Sequence, residues 1–125
     1  MIDAAENFLT EANSVSWHVR NLLWSDSVAR DAGADPHDFT ESWGRLRRAQ
    51  LRVDLIFGET SSASDRADDL VQLIRKGVAA VESVATDPDG AKWLEEAQAS
   101  FLVEADVYDA FLNAAHDLVA PRRDE

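Results

Sequence analysis

Apolar residues in the first part of the chain fall into two groups that one helix would place on opposite sides. The first group recurs at spacings of four and three residues and marks one helical face: Phe8, Ala12, Val15, Val19 and Leu22. At about 100° per residue, Trp17 and Trp24 lie roughly 160° to 180° from the centre of that face, with Val28 close to them. The first face predicts a core, and the second predicts an additional contact.

Three breaks divide the chain into four helical segments, at residues 33–36, 58–61 and 86–90. Gly33 and Gly58 suit the left-handed position after a helix C-terminus, and Asp35 and Asp87 can each cap a helix whose first residue is proline. Ser62 with Asp65 is an acidic form of the capping box. These signals predict helices over residues 3–32, 36–57, 62–85 and 88–119.

Each of the other three segments also has one apolar face. In the second segment Gln50 falls within this face, where it either fixes the helix register or lies at the edge of the core. The predicted core positions are Phe39, Trp43, Leu46, Val53 and Phe57; Ala63, Ala67, Leu70, Ile74, Val78 and Val81; and Leu94, Ala97, Phe101, Ala105, Tyr108, Leu112, Ala115 and Val119. Short connections then favour an all-α fold, an antiparallel up-down-up-down four-helix bundle over residues 1–120 with a frayed tail at 121–125.

The second segment has surplus apolar residues as well, because Leu51 and Leu55 point away from its core face; Val103 and Val107 are similar positions in the last segment. Either the first or second helix is buried on several sides, or one tryptophan lies flat on the surface with its indole nitrogen in water, or the surplus forms an interface. Trp is common among interface anchors, and a symmetric dimer covers an apolar surface with one self-complementary contact. We therefore predict a homodimer or higher homo-oligomer with these interface residues: Trp17, Trp24, Val28, Leu51 and Leu55.

The net charge of −12, from 24 acidic and 12 basic residues, disfavours direct binding to nucleic acid or to an anionic membrane. Basic residues are concentrated in the second helix, at Arg45, Arg47, Arg48 and Arg52.

Acidic residues of the last segment form either a solvated face or a docking face for a heterologous basic partner: Glu95, Glu96, Asp106 and Asp109. Together with Glu104 they could also collect a divalent cation. Attraction between the arginines and these acids would orient an interface.

No residue pattern indicates catalysis or a cofactor. The chain has no cysteine, no Gly-rich phosphate loop and no His-Glu-x-x-His motif, and His18, His37 and His116 lie in separate segments without di-iron spacing. No leader or membrane-spanning run is recognisable. We therefore expect a cytoplasmic, non-catalytic protein-interaction or regulatory module without metal or cofactor; the alternative is an acidic accessory or inhibitor protein.

Two resemblances to known families accompany this interpretation. The segment from Arg30 to His37 resembles the Arg, four to six residues, His motif of the HEPN ribonucleases, which implies a helical nuclease active as a dimer, although Gly33 and Pro36 place this pair across a loop. The chain also resembles small uncharacterised bacterial helical proteins, in which a helix that ends in a Phe-Gly step precedes a capped helix and the last helix carries Phe-x-x-Ala-Ala. The matching pieces are residues 53–58, 67–73 and 111–115. That second resemblance implies a helical bundle and brings no activity with it.

Overall fold

The computed structural model describes residues 2–24, 39–83 and 90–119, and nearly all of this part of the chain is helical. It contains these five helices: α1, Ile2–Leu23; α2, Phe39–Phe57; α3, Ser62–Ser83; α4, Gly90–Phe101; and α5, Glu104–Val119. The predicted all-α class is confirmed. In the described ranges there is no strand, and no helix has the length and apolar character needed to cross a membrane.

In the connection between α2 and α3, Gly58 takes the left-handed position that the sequence predicts. Gly58 has a φ of 94°, and its N–H donates to the Asp54 carbonyl at 3.0 Å, which ends α2 in the left-handed conformation that glycine tolerates. The cap of α3 lies one residue earlier than predicted, because the Ser61 hydroxyl, not that of Ser62, accepts the Ser64 N–H at 3.1 Å. Ser64 in turn donates to the Gly58 carbonyl at 2.8 Å and joins the two helix ends.

The prediction of one continuous last helix is wrong, since a turn at Leu102 and Val103 separates α4 from α5. The N–H groups of these two residues donate to carbonyls three positions earlier, both at 3.3 Å. A three-residue turn advances the chain by about 120° per residue instead of about 100°, so the two turn residues rotate the inward face of α5 by about 40°; Tyr108 and Ala115 stay on this face. Glu104 is therefore buried where Ala105 was expected.

The same rotation changes three other positions of α5: Phe111 is buried, Leu112 is exposed, and Val107 packs partly against the core. The remaining predicted core positions are buried or packed against the core. Buried residues on the predicted faces are Phe8, Ala12, Val15, Val19, Leu46, Val53, Ala63, Ala67, Leu70, Ile74, Val81, Ala97, Phe101 and Ala115. The side chains of Phe39 and Val119 lie outside the described part.

Side-chain contacts give the relative direction of two helix pairs. The rings of Phe8 and Phe111 are 5.0 Å apart between centroids, and Arg20 forms an ion pair with Glu104, so α1 and α5 run antiparallel. The α2–α3 pair is also antiparallel, because its contacts move from the connection at residues 58–64 to the Gln50–Asp68 bond. Helix α3 contacts α1, α2, α4 and α5 and is the central element of the packing.

At Gly77, α3 approaches both α1 and α4 closely. A Cβ atom added at this position would lie 2.6 Å from Val19 Cγ1 and 2.6 Å from Phe101 Cε1. Both of these side chains are buried, so neither has free space to move into. The absence of a side chain at Gly77 therefore allows the three helices to share one core.

Several predictions lie outside the described residues. Helix α1 is described to Leu23, with Trp24 in a turn whose N–H donates to the Arg20 carbonyl at 3.1 Å. Val28 and the predicted continuation of this helix to residue 32 fall in the range 25–38, as do the cap and the first residues of the predicted helix 36–57. The last residues of the predicted helix 62–85, and the cap at Asp87, fall in the range 84–89.

Candidate interaction surfaces

The four described residues of the predicted interface are exposed. Their exposed fractions are 60% for Trp17, 48% for Trp24, 57% for Leu51 and 84% for Leu55. None of the four is therefore part of the core, and the alternative in which α1 or α2 is buried on several sides is wrong at these positions.

These residues form two clusters on neighbouring helices. Trp17 and Trp24, the tryptophan pair, lie about 20° apart around α1, on the side that borders Arg20 and therefore α5. Leu51 and Leu55, the leucine pair, lie one turn apart on the outer surface of α2. Helix α1 packs directly against α2, so the two clusters lie on neighbouring helices, with the tryptophan pair on the α5 side of α1.

The predicted arginine cluster divides into two pairs with different surroundings. Arg45 donates to Glu11 of α1 at 3.3 Å and to Glu41 at 3.0 Å, and Arg47 bonds to Gln50. Arg48 and Arg52 are exposed and form no ion pair within the described ranges. Two cationic groups without an ion-pair partner in the described ranges thus lie beside the leucine pair.

Gln50 is almost completely buried and acts as a polar link between helices. Its Nε2 donates to Asp68 of α3 at 3.1 Å, while its Oε1 accepts from Arg47. Both ends of the amide are therefore used, which is the condition for a polar group to be tolerated at the edge of a core.

The predicted acidic face is exposed but divided between two helices. Glu95 and Glu96 are adjacent on α4, whereas Asp106 and Asp109 lie one turn apart on α5, after the turn at residues 102–103. None of the four makes an ion pair with another described residue. No group of three His, Asp or Glu side chains in the described ranges is arranged to hold a metal ion.

Further apolar exposure follows from the turn between α4 and α5 and was only partly predicted. Val103 is exposed as expected, and the shifted register adds Leu102 and Leu112. Trp93, near the start of α4, is also half exposed, although the sequence pattern did not single it out. Its exposure depends on how α4 packs on α3, which the pattern of α4 alone does not indicate.

A buried polar cluster between α1 and α5 was missed altogether. Glu104 is 1% exposed and pairs with Arg20, and the neighbouring Ser16 and Tyr108 complete the cluster. Burial raises the pKa of the Tyr108 hydroxyl from 10.0 to about 12, while the Ser16 hydroxyl and the charge of Arg20 act in the opposite direction. Because Glu104 enters the core through the turn at residues 102–103, no spacing in the sequence reveals this cluster.

The residues of the HEPN resemblance, Arg30 and His37, lie outside the described residues. Of the other histidines, His18 is half-buried on α1 and His116 is exposed on α5. Comparisons with protein-family models, with curated proteins and with solved structures find no match to this chain. Function is therefore inferred from the surfaces themselves.

Proposed function

We propose that this protein is a non-catalytic protein-interaction or regulatory module that self-associates as a homodimer through the outer surfaces of α1 and α2. The observation that carries the proposal is the exposure of the tryptophan pair and the leucine pair in the single chain. Large apolar side chains in such numbers on two adjacent helices are typical of a surface that another protein covers. The cytoplasm is its expected place of action, and the lack of cysteine is compatible with such a reducing compartment.

A second copy of the chain fits this surface by charge as well as by apolar character. Arg48 and Arg52 extend beside the leucine pair without ion-pair partners in the described part, and a second copy brings the exposed Glu6 of α1, which forms no ion pair with a described residue. A symmetric contact would use each kind of group twice, once from each subunit. In this proposal the fold is an up-down bundle in which α4 and α5 together form the fourth element. The antiparallel directions of α1 with α5 and of α2 with α3 support this arrangement.

The test is truncation of one residue from each cluster, in the double variant Trp24→Ala/Leu55→Ala. Both side chains lie on the surface, so we expect a folded monomer with an unchanged helical circular dichroism spectrum and half the mass of the native protein by light scattering. Leu112→Ala is the matched control, since it removes an exposed apolar side chain from α5 and should leave the dimer intact. Global unfolding of the double variant, or a dimer that persists in it, would contradict the proposed interface.

The exposed acids favour a second candidate function, an acidic accessory or inhibitor protein that binds a basic protein partner. Its direct test is reversal of Glu95, Glu96, Asp106 and Asp109 to lysine, followed by binding to a lysine-rich helical peptide. The control reverses Asp65 and Asp69, two exposed acids of α3. A docking face predicts loss of binding only in the first variant, whereas equal loss in both would indicate a general charge effect.

A further inference from the structure

An open groove of about 540 Å³ lies between the outer side of α3 and the start of α4. Two consecutive small residues of α3, Ala79 and Ala80, line it together with the indole of Trp93 from α4. The side chains of Arg75 and Lys76 line the same groove from the preceding turn of α3. An apolar recess with a few polar groups, in this range of volume, is typical of small-molecule sites.

Trp93 supplies the apolar surface of the groove. It is 47% exposed even though it lies beside the alanines of α3, because their short side chains leave the space in front of the ring unfilled. A flat indole face is well suited to contact with an aliphatic chain or an aromatic ring. The groove therefore offers apolar contact to a ligand without any rearrangement of the helices.

The cationic groups define the polar part of the ligand. Arg75 and Lys76 are both exposed, and neither forms an ion pair with a described residue, although the chain carries 24 acidic residues. A guanidinium and an ammonium that line the same groove suit a carboxylate, which arginine can bind through two parallel hydrogen bonds.

The neighbouring groove on the other side of Arg75 provides a comparison. It lies between α2 and α3, measures about 310 Å³, and is lined by Trp43, Val78 and Glu82. The Glu82 carboxylate would repel an anion there, whereas no acidic residue of the described ranges lines the groove beside Trp93. Charge therefore favours the Trp93 side for an anionic ligand.

We propose that the groove lined by Trp93, Ala79, Arg75 and Lys76 binds a small amphipathic monocarboxylate, with the carboxylate on the two cations and the apolar body against Trp93. The net charge of −12 selects a ligand of one negative charge, since a polyanion or an acidic protein would meet repulsion from the whole molecule. This site uses α3 and α4 and is independent of the proposed dimer interface on α1 and α2.

Decanoate below its micellar concentration is the probe, titrated by calorimetry and by the shift of the Trp93 indole N–H in NMR spectra. We expect saturable binding that weakens about tenfold in Arg75→Gln/Lys76→Gln. Ala79→Leu, which fills the groove from an exposed helical position, should abolish binding. Arg66→Gln, a charge removal at the other end of α3, is the matched control and should bind as the native protein does.

Two further measurements test the role of the cations and the independence of the groove from the dimer interface. Decyltrimethylammonium has the same apolar body with a positive head, and equal binding of it would overturn the assignment of the cations. Decanoate binding should persist in Trp24→Ala/Leu55→Ala, because that variant leaves the groove intact. No decanoate binding at millimolar concentration, or binding of a glutamate-rich peptide in its place, would overturn the proposal.

Discussion

Replacing Gly77 by alanine tests the packing of the bundle where α3 closely approaches both α1 and α4. In an exposed helix the change would stabilise the protein by about 1 kcal/mol, since alanine has the better helical propensity. Here the new methyl group would lie 2.6 Å from both Val19 Cγ1 and Phe101 Cε1, well inside van der Waals contact. Val19 is stiff at χ1, and the Phe101 ring is buried, so accommodating the methyl means moving a helix.

Overpacking of this kind typically costs about 1 to 3 kcal/mol, which outweighs the gain in propensity. After the propensity gain is subtracted, we expect Gly77→Ala to lower the free energy of unfolding by up to about 2 kcal/mol in urea denaturation followed by circular dichroism. Gly44→Ala is the matched control, because a Cβ atom there meets only Arg48 Nη1, at an ordinary distance of 3.5 Å.

The control should raise stability by about 0.5 to 1 kcal/mol, so the same substitution has opposite signs at the two sites. Both variants are best measured in a Leu55→Ala background, because Gly44 lies on the same outer side of α2 as the leucine pair. Without that background, a change in self-association would add to the measured change in stability. Equal stabilisation by Gly44→Ala and Gly77→Ala would refute the close approach of α1, α3 and α4.

Three other predictions concern the polar interior and the helix caps. The pKa of Tyr108 is higher in the folded protein than the ordinary value of 10.0, so the hydroxyl ionises first in the unfolded chain, and its contribution to stability is complete only below pH 10. In urea titrations the free energy of unfolding should fall by about 2 to 3 kcal/mol as the pH rises to about 12, and Tyr108→Phe should not show this loss. Arg20→Gln leaves the buried Glu104 carboxylate without its ion pair, and because Arg20 is itself half exposed we expect the free energy of unfolding to fall by about 2 kcal/mol. Arg66→Gln, which breaks the exposed pair with Asp69, should lower it by about 0.5 kcal/mol or less, and equal effects of the two variants would contradict burial of Glu104. Ser61→Ala removes the cap of α3 and should lower the thermal stability by about 1 kcal/mol, whereas Ser62→Ala should change it little; the reverse order would place the cap at Ser62.

The sequence predicts the first three helical faces well because their signals are local. Leu46 and Val53 recur at helical spacing and are buried, and Gly58 takes the positive φ that the end of α2 requires. These features depend on residues within one or two turns of each other, so the rest of the fold changes them little.

The last segment shows where such reasoning stops. Its apolar spacing fits one continuous helix, yet the turn at Leu102 and Val103 places Glu104 inside and Leu112 outside. In this arrangement the buried carboxylate pairs with Arg20, which lies 84 positions earlier in the sequence. A contact between such distant residues leaves no signal in the periodicity of either segment.

The candidate surfaces divide in the same way. Exposure of Trp17 and Leu55 could be predicted, because their positions oppose the core face of the same helix. The groove beside Trp93 could not, since it exists only where α4 packs across the alanines of α3. Amphipathic patterns therefore identify surplus faces on single helices, whereas recesses between helices require the packed structure.

The central claim, self-association through α1 and α2, is tested most directly by light scattering of the native protein over a concentration series. The chain has a mass of 13.8 kDa, so the account predicts a mass twice that value which falls toward 13.8 kDa only on dilution. A mass of 13.8 kDa at every concentration would contradict the homodimer and would show that no second copy covers the tryptophan and leucine pairs.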